Sequence, residues 1–212
     1  MTDRPATLVL VRHGETVWHA ENRYAGISDI ELTGRGHDQA AELAAWAAGA
    51  GLAAVWSSTL SRARITAAGA AAAAGLTPRA DERLRELDFG QGEGLTAREM
   101  RERFPEARAA FEADPGAHPL PGGEDPAEAA DRFTAALFDV AAASPGGRVL
   151  VVAHTTAIRL ALCRLIGVPL GEYRRLFPRL DNCALTELRP YGGPAGPRAA
   201  ILRYNTPIGA VR

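Results

Sequence analysis

The sequence predicts an α/β protein, a three-layer sandwich in which a mostly parallel sheet is covered by helices on both faces. Five short runs rich in Val, Leu and Ile have the length of β-strands. Five longer segments rich in Ala, Leu, Arg and Glu have the length and composition of α-helices. Strands and helices alternate along much of the chain, and this order is typical of βαβ units that build a parallel sheet.

The predicted elements follow one another in the order that such a fold requires. A strand at residues 7–11 precedes a helix at 33–48, and a strand at 53–56 precedes a helix at 59–74. The later elements are two helices, a strand, a further helix and two closing strands, predicted at 96–112, 125–143, 148–153, 156–166, 184–188 and 199–204.

Three segments need a separate interpretation. The apolar run at 149–152 is continuous rather than alternating, which indicates a strand buried on both faces. The alanine tract at 67–74 lies inside a helical pattern, and we expect its small side chains to pack closely against the sheet. Residues 114–126 are rich in Pro and Gly, so we expect a loop near the functional site that is too short to link two domains.

The length and composition favour a single globular domain over residues 1–212. A chain of 212 residues can bury a sizeable core, and 47% hydrophobic with 23% charged residues is a globular composition. Cys163 and Cys183 show no metal-binding spacing, and we expect both to be reduced thiols in the core.

The charge and the apolar segments bear on partners and location. With a formal net charge of −1, the chain has no strong overall field that would attract nucleic acid. Residues 1–6 are polar, and no apolar stretch has the length that spans a membrane. We therefore expect a cytoplasmic protein that binds neither nucleic acid nor membrane, with a homodimer left open.

Polar side chains appear where buried strands are predicted to end. The first strand runs directly into residues 12–16, RHGET, and the strand at 148–153 stops at His154 and Thr155. Residues 57–59, SST, follow the second strand as good helix N-cap types and place Arg62 in the first helical turn. In open α/β sheets, ligands bind at the carboxyl ends of the strands, so these strand ends predict one anion-binding site.

These blocks resemble the histidine phosphatase superfamily, the group that includes phosphoglycerate mutases. The resemblance covers about residues 7–189, and it implies the phosphoglycerate mutase-like fold. A single RHG tripeptide is weakly specific, whereas several blocks in the family's order are hard to obtain by chance. The blocks are RHGET at 12–16 followed by Arg23 and Gly26, SSTLSRA at 57–63, LRELDFG at 84–90, and VAH at 152–154.

The resemblance implies roles for five residues. His13 would be the nucleophile, attacking phosphorus through one ring nitrogen while a backbone carbonyl holds the other N–H. Arg12, Arg62 and His154 would surround the phosphoryl oxygens and stabilise the charge that develops on them. Glu86 would protonate the leaving oxygen and then take a proton from the water that cleaves the phosphohistidine.

The resemblance also implies a set of substrate-binding residues, and the chain departs from the family at three of them. His19 stands where the family often has Asn, Ala25 where it usually has Gln, and Thr155 where Gly commonly follows the second histidine. Thr155 does not readily adopt a positive φ. The full predicted binding set is Arg12, His19, Arg23, Tyr24, Ala25, Gly26, Arg62, Glu86, His154 and Thr155.

The predicted function is therefore hydrolysis of a small phosphorylated metabolite by a phosphomonoesterase without a cofactor. We expect no metal, because the five histidines show no recognisable metal-ligand spacing. The alternatives are a cofactor-dependent phosphoglycerate mutase and a non-catalytic module that binds phosphorylated ligands. Mutases of the family tend to carry a longer insertion with an Arg-Arg pair, and no such pair occurs between Glu86 and His154. Sugar phosphates, phosphoglycerates, nucleotides and α-ribazole phosphate stay open as substrates.

Overall fold

One sheet organises the part of the chain that the computed structural model describes, residues 5–192 and 196–210. Within these residues the sheet has six strands in the order β3-β2-β4-β1-β5-β6. The first four in this order are parallel, whereas β5 runs antiparallel to β1 and β6 antiparallel to β5. The strands are β1 (Thr7–Arg12), β2 (Leu52–Ser57), β3 (Arg79–Ala80), β4 (Arg148–Ala153), β5 (Leu185–Tyr191) and β6 (Arg198–Thr206).

Helices cover both faces of this sheet, which confirms the predicted sandwich. Successive side chains of a strand point to opposite faces. Leu8 and Leu10 of β1 accordingly pack into the core cluster beneath α5 and α6, and Val9 and Val11 pack into the cluster beneath α1 and α2. The helices are α1 (Gly34–Ala47), α2 (Ser61–Ala73), α3 (Ala97–Arg103), α4 (Pro105–Ala113), α5 (Pro126–Ala142), α6 (Thr155–Ile166) and α7 (Tyr173–Leu176).

The alanine tract lies in α2, as expected, except for its last residue, Ala74, which is the C-cap. Ala63, Ala67, Ala70 and Ala71 are fully buried against the sheet and α1. Small side chains let the backbones of helix and sheet approach closely, so the low-complexity tract has a packing role. Cys163 and Cys183 are buried free thiols.

The predicted helix at 96–112 is wrong as a single element. Two helices, α3 and α4, meet at Phe104, whose φ of −145° and ψ of 69° are not helical. Pro105 is the cause, because proline restricts the preceding residue to extended conformations and removes a backbone donor. Pro is favoured in the first turn of a helix, so α4 restarts at that same residue.

Two smaller predictions also need correction. Residues 57–59 are not the N-cap of α2, because the N-cap residue is Leu60, and it is Oδ1 of Asp29 that accepts from the backbone N–H of Ser61 at 3.0 Å. The two-residue strand β3 was not predicted, and its two residues are too few to show an alternating pattern.

The order of strands brings the predicted strand ends together. β1 and β4 are parallel neighbours in register, with Arg12 opposite Ala153, so His13 and His154 follow at the same edge of the sheet. β2 lies on the other side of β4, and Ser57 pairs with Val152. Among residues 5–192 and 196–210, none of the helices combines the length and apolar composition needed to cross a membrane.

Candidate active site

A pocket of about 340 Å³ opens at the carboxyl ends of β1 and β4. Most of the predicted site residues line it, namely Arg12, His13, His19, Arg23, Tyr24, Ala25, Glu86 and Thr155. Three predicted residues are not on its wall. Arg62 and His154 both contact His13, and the backbone oxygen of Gly26 holds Arg62 in place. The fold thus gathers the set that the sequence proposed.

His13 is held in one tautomer by a backbone carbonyl. Its Nδ1 lies 2.7 Å from the carbonyl oxygen of Gly14, so Nδ1 carries the proton and donates it to that oxygen. The other nitrogen, Nε2, keeps its lone pair and accepts a hydrogen bond of 3.2 Å from Nε of Arg62. The ring is only 5% exposed, so it presents one basic nitrogen in a fixed orientation.

Arg62 is fully buried and clamped by backbone oxygens. Its NH1 donates to the Ser28 carbonyl at 2.7 Å and its NH2 to the Gly26 carbonyl at 2.6 Å. Glycine is required at position 26, because a Cβ there would lie 2.5 Å from the carbonyl oxygen of Leu87. The clamp fixes the guanidinium with its Nε aimed at His13.

His154 is fully buried and packs beside the first histidine, with its ring centroid 5.1 Å from that of His13. Its Nε2 lies 2.6 Å from Oγ of Ser58, the residue that follows β2. Its Nδ1 is buried and has no hydrogen-bond partner among the described residues. Buried polar atoms are nearly always paired, so this nitrogen is an exception.

Arg12 and His19 lie side by side on the pocket wall. NH2 of Arg12 lies 2.5 Å from Nε2 of His19, and because a guanidinium can only donate, this ring nitrogen is the acceptor. Nε of Arg12 is buried without a partner in the described chain, so this donor is left for a ligand. Burial, the largest effect on this guanidinium, lowers the pKa of Arg12 to about 10, so the group stays charged at neutral pH. A charged guanidinium with an unused donor is suited to an anionic oxygen.

Glu86 is 2% exposed and caps the first turn of α6. Its Oε2 accepts from the backbone N–H of Thr156 at 2.9 Å, and its Oε1 accepts from the N–H groups of Ala157 at 2.7 Å and Leu87 at 2.9 Å. A carboxylate is favoured at a helix N-terminus, where N–H groups lack partners within the helix. These three bonds fix the carboxylate at the pocket wall.

The other predicted binding residues differ in what they offer. Arg23 lines the pocket but is paired with the carboxylates of Glu21 and Glu99, which neutralise its charge. Thr155 begins α6 and is not among the residues with positive φ. A threonine at this position, where the family commonly has glycine, is therefore compatible with the backbone conformation.

The arginines of α3 and α4 have different surroundings. Surface pairing with glutamates at helical spacing is seen for Arg98, which lies 4.0 Å from Glu102. Arg108 also pairs with Glu112, four residues further on, but it is 4% exposed and packs over the rings of Tyr24 and Phe111. The short-range spacing gave no sign that α4 turns this residue toward the core.

Sequence reasoning missed several residues that complete the pocket. Ser58 was considered only as a cap, and Asn182, whose Nδ2 donates to the backbone oxygen of His13 at 2.6 Å, lies far along the chain. Arg159 and Arg174 carry no motif that marks them. The other lining residues that were missed are Thr16, Asn22, Phe89, Thr156, Tyr173 and Pro178. No group of three or more His, Cys, Asp or Glu side chains suited to a metal occurs in the described ranges.

We predict that the free energy of unfolding falls as the pH is lowered from about 7.5 to about 5.5, through the histidine pKa of about 6.5 in water. Burial, then the charges of Arg62 and Arg12, hold the pKa of His13 well below 6.5. Burial, then Arg62 and His13, do the same to the pKa of His154. Below pH 6.5 these histidines therefore bind protons in the unfolded chain but not in the native state. Each ring lowers the free energy of unfolding by up to about 1.4 kcal/mol per pH unit.

Urea unfolding at several pH values measures this loss. His13→Gln and His154→Gln, which remove one titrating ring each, should flatten the decline of stability with falling pH. An unchanged slope in both variants would show that these rings do not carry the effect.

The fold and the pocket define the class of protein: an α/β protein with a histidine-centred, arginine-lined anion site at the carboxyl ends of parallel strands. The chain belongs to the histidine phosphatase superfamily (branch 1), whose family model matches residues 8–202. This match confirms the resemblance inferred from the sequence motifs.

Relatives of the chain carry mutase and phosphatase names. A "Probable phosphoglycerate mutase GpmB" of Salmonella paratyphi B is 37% identical over 179 residues, which are 84% of this chain and 82% of the relative. A mycobacterial glucosyl-3-phosphoglycerate phosphatase shares the fold with a TM-score of 0.85 and 28% identity, over 96% of this chain and 100% of the other. A putative alpha-ribazole-5'-P phosphatase of Escherichia coli has a TM-score of 0.78 and 26% identity, over 95% of this chain and 97% of the other. The superfamily and the neighbours support a phosphatase enzyme.

Proposed function

We propose that the chain is a phosphomonoesterase that hydrolyses a small phosphorylated metabolite through a phosphohistidine, without a metal or another cofactor. The observation that carries the proposal is the tautomer of His13. Its Nδ1–H is bound to the carbonyl of Gly14, and its Nε2 keeps a lone pair beside the buried Arg62. Because burial and, after it, the neighbouring cations keep the pKa of His13 well below 6.5, the ring is neutral and nucleophilic at pH 7.

The first half-reaction transfers the phosphoryl group to the enzyme. The lone pair on Nε2 of His13 forms a bond to phosphorus, and the bond between phosphorus and the ester oxygen breaks. The leaving oxygen takes a proton from Glu86, and the alcohol departs. The charged guanidinium groups of Arg12 and Arg62 stabilise the charge on the phosphoryl oxygens.

The second half-reaction returns the enzyme to its starting state. Glu86, now a carboxylate, accepts a proton from water as the water oxygen bonds to phosphorus. The bond between phosphorus and Nε2 of His13 breaks, and inorganic phosphate leaves. The carboxylate of Glu86 is held by three backbone N–H groups, so the same oxygens stay in position for both steps.

A phosphoglycerate mutase is the second candidate, favoured by the name of the relative at 37% identity. A mutase must hold the phosphorylated histidine and the substrate long enough to return the phosphoryl group. Between Glu86 and His154 the described chain has no adjacent arginine pair at the pocket, and Arg101 is paired with Glu112. Within this segment no arginine lines the pocket, which favours water as the final acceptor over a mutase of that type.

We predict steady release of inorganic phosphate from at least one small phosphomonoester, in the presence of EDTA and without priming by a bisphosphate. The measurement is a phosphate-release screen over phosphorylated metabolites, with the interconversion of 2- and 3-phosphoglycerate followed in parallel. Rapid, priming-dependent interconversion with negligible phosphate release would establish the mutase instead. Activity that EDTA abolishes and a metal restores would refute the metal-independent mechanism.

A further inference from the structure

Two arginines on the pocket wall are not used by the proposed chemistry. Arg159 on α6 and Arg174 on α7 both line the pocket, and both are half-buried. Neither makes a salt bridge with a carboxylate of residues 5–192 or 196–210. Removing a guanidinium partly from water without a counter-charge is unfavourable, so two such groups in one pocket suggest an anionic ligand.

Arg174 is held rigidly by aromatic neighbours. Its guanidinium carbon lies 4.7 Å from the ring centre of Phe111 and 5.4 Å from that of Tyr173. Its Nε donates to the hydroxyl of Tyr173 at 3.0 Å, and its NH2 donates to the hydroxyl of Tyr24 at 3.2 Å. Its NH1 has no hydrogen-bond partner in the described chain. The side chain is therefore preorganised, with donors to spare.

Arg159 is positioned in a similar way. Its Nε donates to the carbonyl of Thr155 and its NH1 to the carbonyl of Phe177, each at 3.2 Å. Its guanidinium carbon lies 4.8 Å from the ring centre of Tyr173, so one ring contacts both arginines. Its NH2 makes no hydrogen bond to any residue that the structure describes.

Tyr24 adds a third donor. Its hydroxyl oxygen accepts from NH1 of Arg108 at 2.9 Å and from NH2 of Arg174 at 3.2 Å. A hydroxyl has two lone pairs and one proton, so both acceptor positions are occupied and only the O–H is left to act. Tyr24 lines the pocket, and its proton is therefore available to an acceptor on the ligand.

The charge balance of the pocket indicates the charge of the ligand group that would accept this proton. The wall carries four arginines and one acidic residue, Glu86, which holds the transferable proton in the proposed first step, and Arg23 is paired with Glu21 and Glu99 outside the pocket. In the proposed chemistry, Arg12 and the buried Arg62 bind the phosphoryl group. Arg159 and Arg174 then leave two positive charges for a group elsewhere on the substrate.

We propose that Arg159, Arg174 and the hydroxyl of Tyr24 form a second anion subsite, which selects phosphomonoesters that carry another anionic group, a carboxylate or a second phosphate. The inference rests on the proposed function, because the phosphoryl end of the substrate is assigned to His13. Arginine suits both anions, since its planar fork can donate two parallel hydrogen bonds.

The test compares matched substrates. 3-Phosphoglycerate and glycerol 3-phosphate differ only in a carboxylate against a hydroxymethyl group, and glucose 1,6-bisphosphate and glucose 6-phosphate differ in a second phosphate. We expect kcat/KM to favour the more anionic member of at least one pair by about tenfold or more, as charge-assisted hydrogen bonds would give. The pair that shows the preference identifies the anion. Equal kcat/KM within both pairs would overturn the inference and leave the phosphatase assignment intact.

Variants of the pocket wall test which side chains produce the preference for the more anionic substrate. Arg174→Gln, Arg159→Gln and Tyr24→Phe should each move the ratio of kcat/KM values within the preferred pair toward one, with a larger change for an arginine than for Tyr24. Arg175→Gln is the matched control, because Arg175 is exposed, pairs with Glu172 and is not on the pocket wall. Arg174→Lys keeps the charge and should lose less of the ratio. An unchanged ratio in the glutamine variants would overturn the assignment.

Binding separates this inference from the proposed chemistry. In His13→Ala, calorimetric titration with intact 3-phosphoglycerate, glycerol 3-phosphate and the two glucose phosphates measures affinity without turnover. Tighter binding of the more anionic member, lost with Arg174→Gln in the same background, supports the subsite even if the native enzyme releases no phosphate. Equal affinities within both pairs overturn it, whatever the turnover.

Discussion

Replacing His13 by alanine is expected to abolish turnover, because the ring proposed to accept the phosphoryl group is removed. A methyl group has no lone pair to attack phosphorus. Arg12 and Arg62 would remain, so the variant should still bind phosphorylated ligands. The measurement is phosphate release, together with trapping of an acid-labile phosphoprotein in the native enzyme and its absence in the variant.

A matched control guards against an effect on folding. His37 lies exposed on α1, away from the pocket, so His37→Ala should keep the activity of the native protein. Because the His13 side chain is buried, His13→Gln is a second, better-filled variant, and circular dichroism should show both His13 variants to be folded. Native turnover in a folded His13 variant would remove this residue from the mechanism.

Glu86→Gln is expected to lower kcat by about 10² to 10⁴, the usual contribution of a positioned general acid. The loss should be smallest for aryl phosphates, whose leaving oxygens need little protonation, and largest for alkyl phosphates. The amide also brings an NH2 group against backbone N–H groups at the start of α6, which disturbs the helix end.

The dependence on the leaving group separates these two effects. A disturbed helix end lowers the rate for every ester alike, whereas a missing proton donor penalises poor leaving groups. Glu82→Gln, at an exposed position four residues upstream, is the matched control and should change neither rate. An equal loss for aryl and alkyl esters would contradict the role of Glu86 in proton transfer.

The sequence predicted the features that are written locally in the chain. Continuous apolar runs identified β1 and β4, and polar residues directly after them located His13 and His154 at one edge of the sheet. Arg62 was placed correctly in the first turn of α2, although the expected cap was wrong. These predictions succeeded because strand ends of a parallel sheet meet whatever the loops between them do.

The remaining features depend on contacts between distant segments. Ser58 meets His154 across 96 positions, and Arg174 reaches Tyr24 across 150, so no spacing in the chain reveals either contact. The break between α3 and α4 is different, because Pro105 was visible in the sequence and proline is known to interrupt helices. There, weighing the alanine- and glutamate-rich composition above a single residue produced the error.

Tyr173 and Arg174 lie on α7, a helix of four residues that also carries exposed Arg175 and Leu176. The residues proposed to handle the phosphoryl group are fixed instead at the ends of sheet strands and by backbone clamps. Natural selection could therefore alter α7 to admit a different metabolite while the chemical machinery stays as it is. This separation offers a structural route by which one ancestral scaffold gives rise to enzymes with unlike substrates.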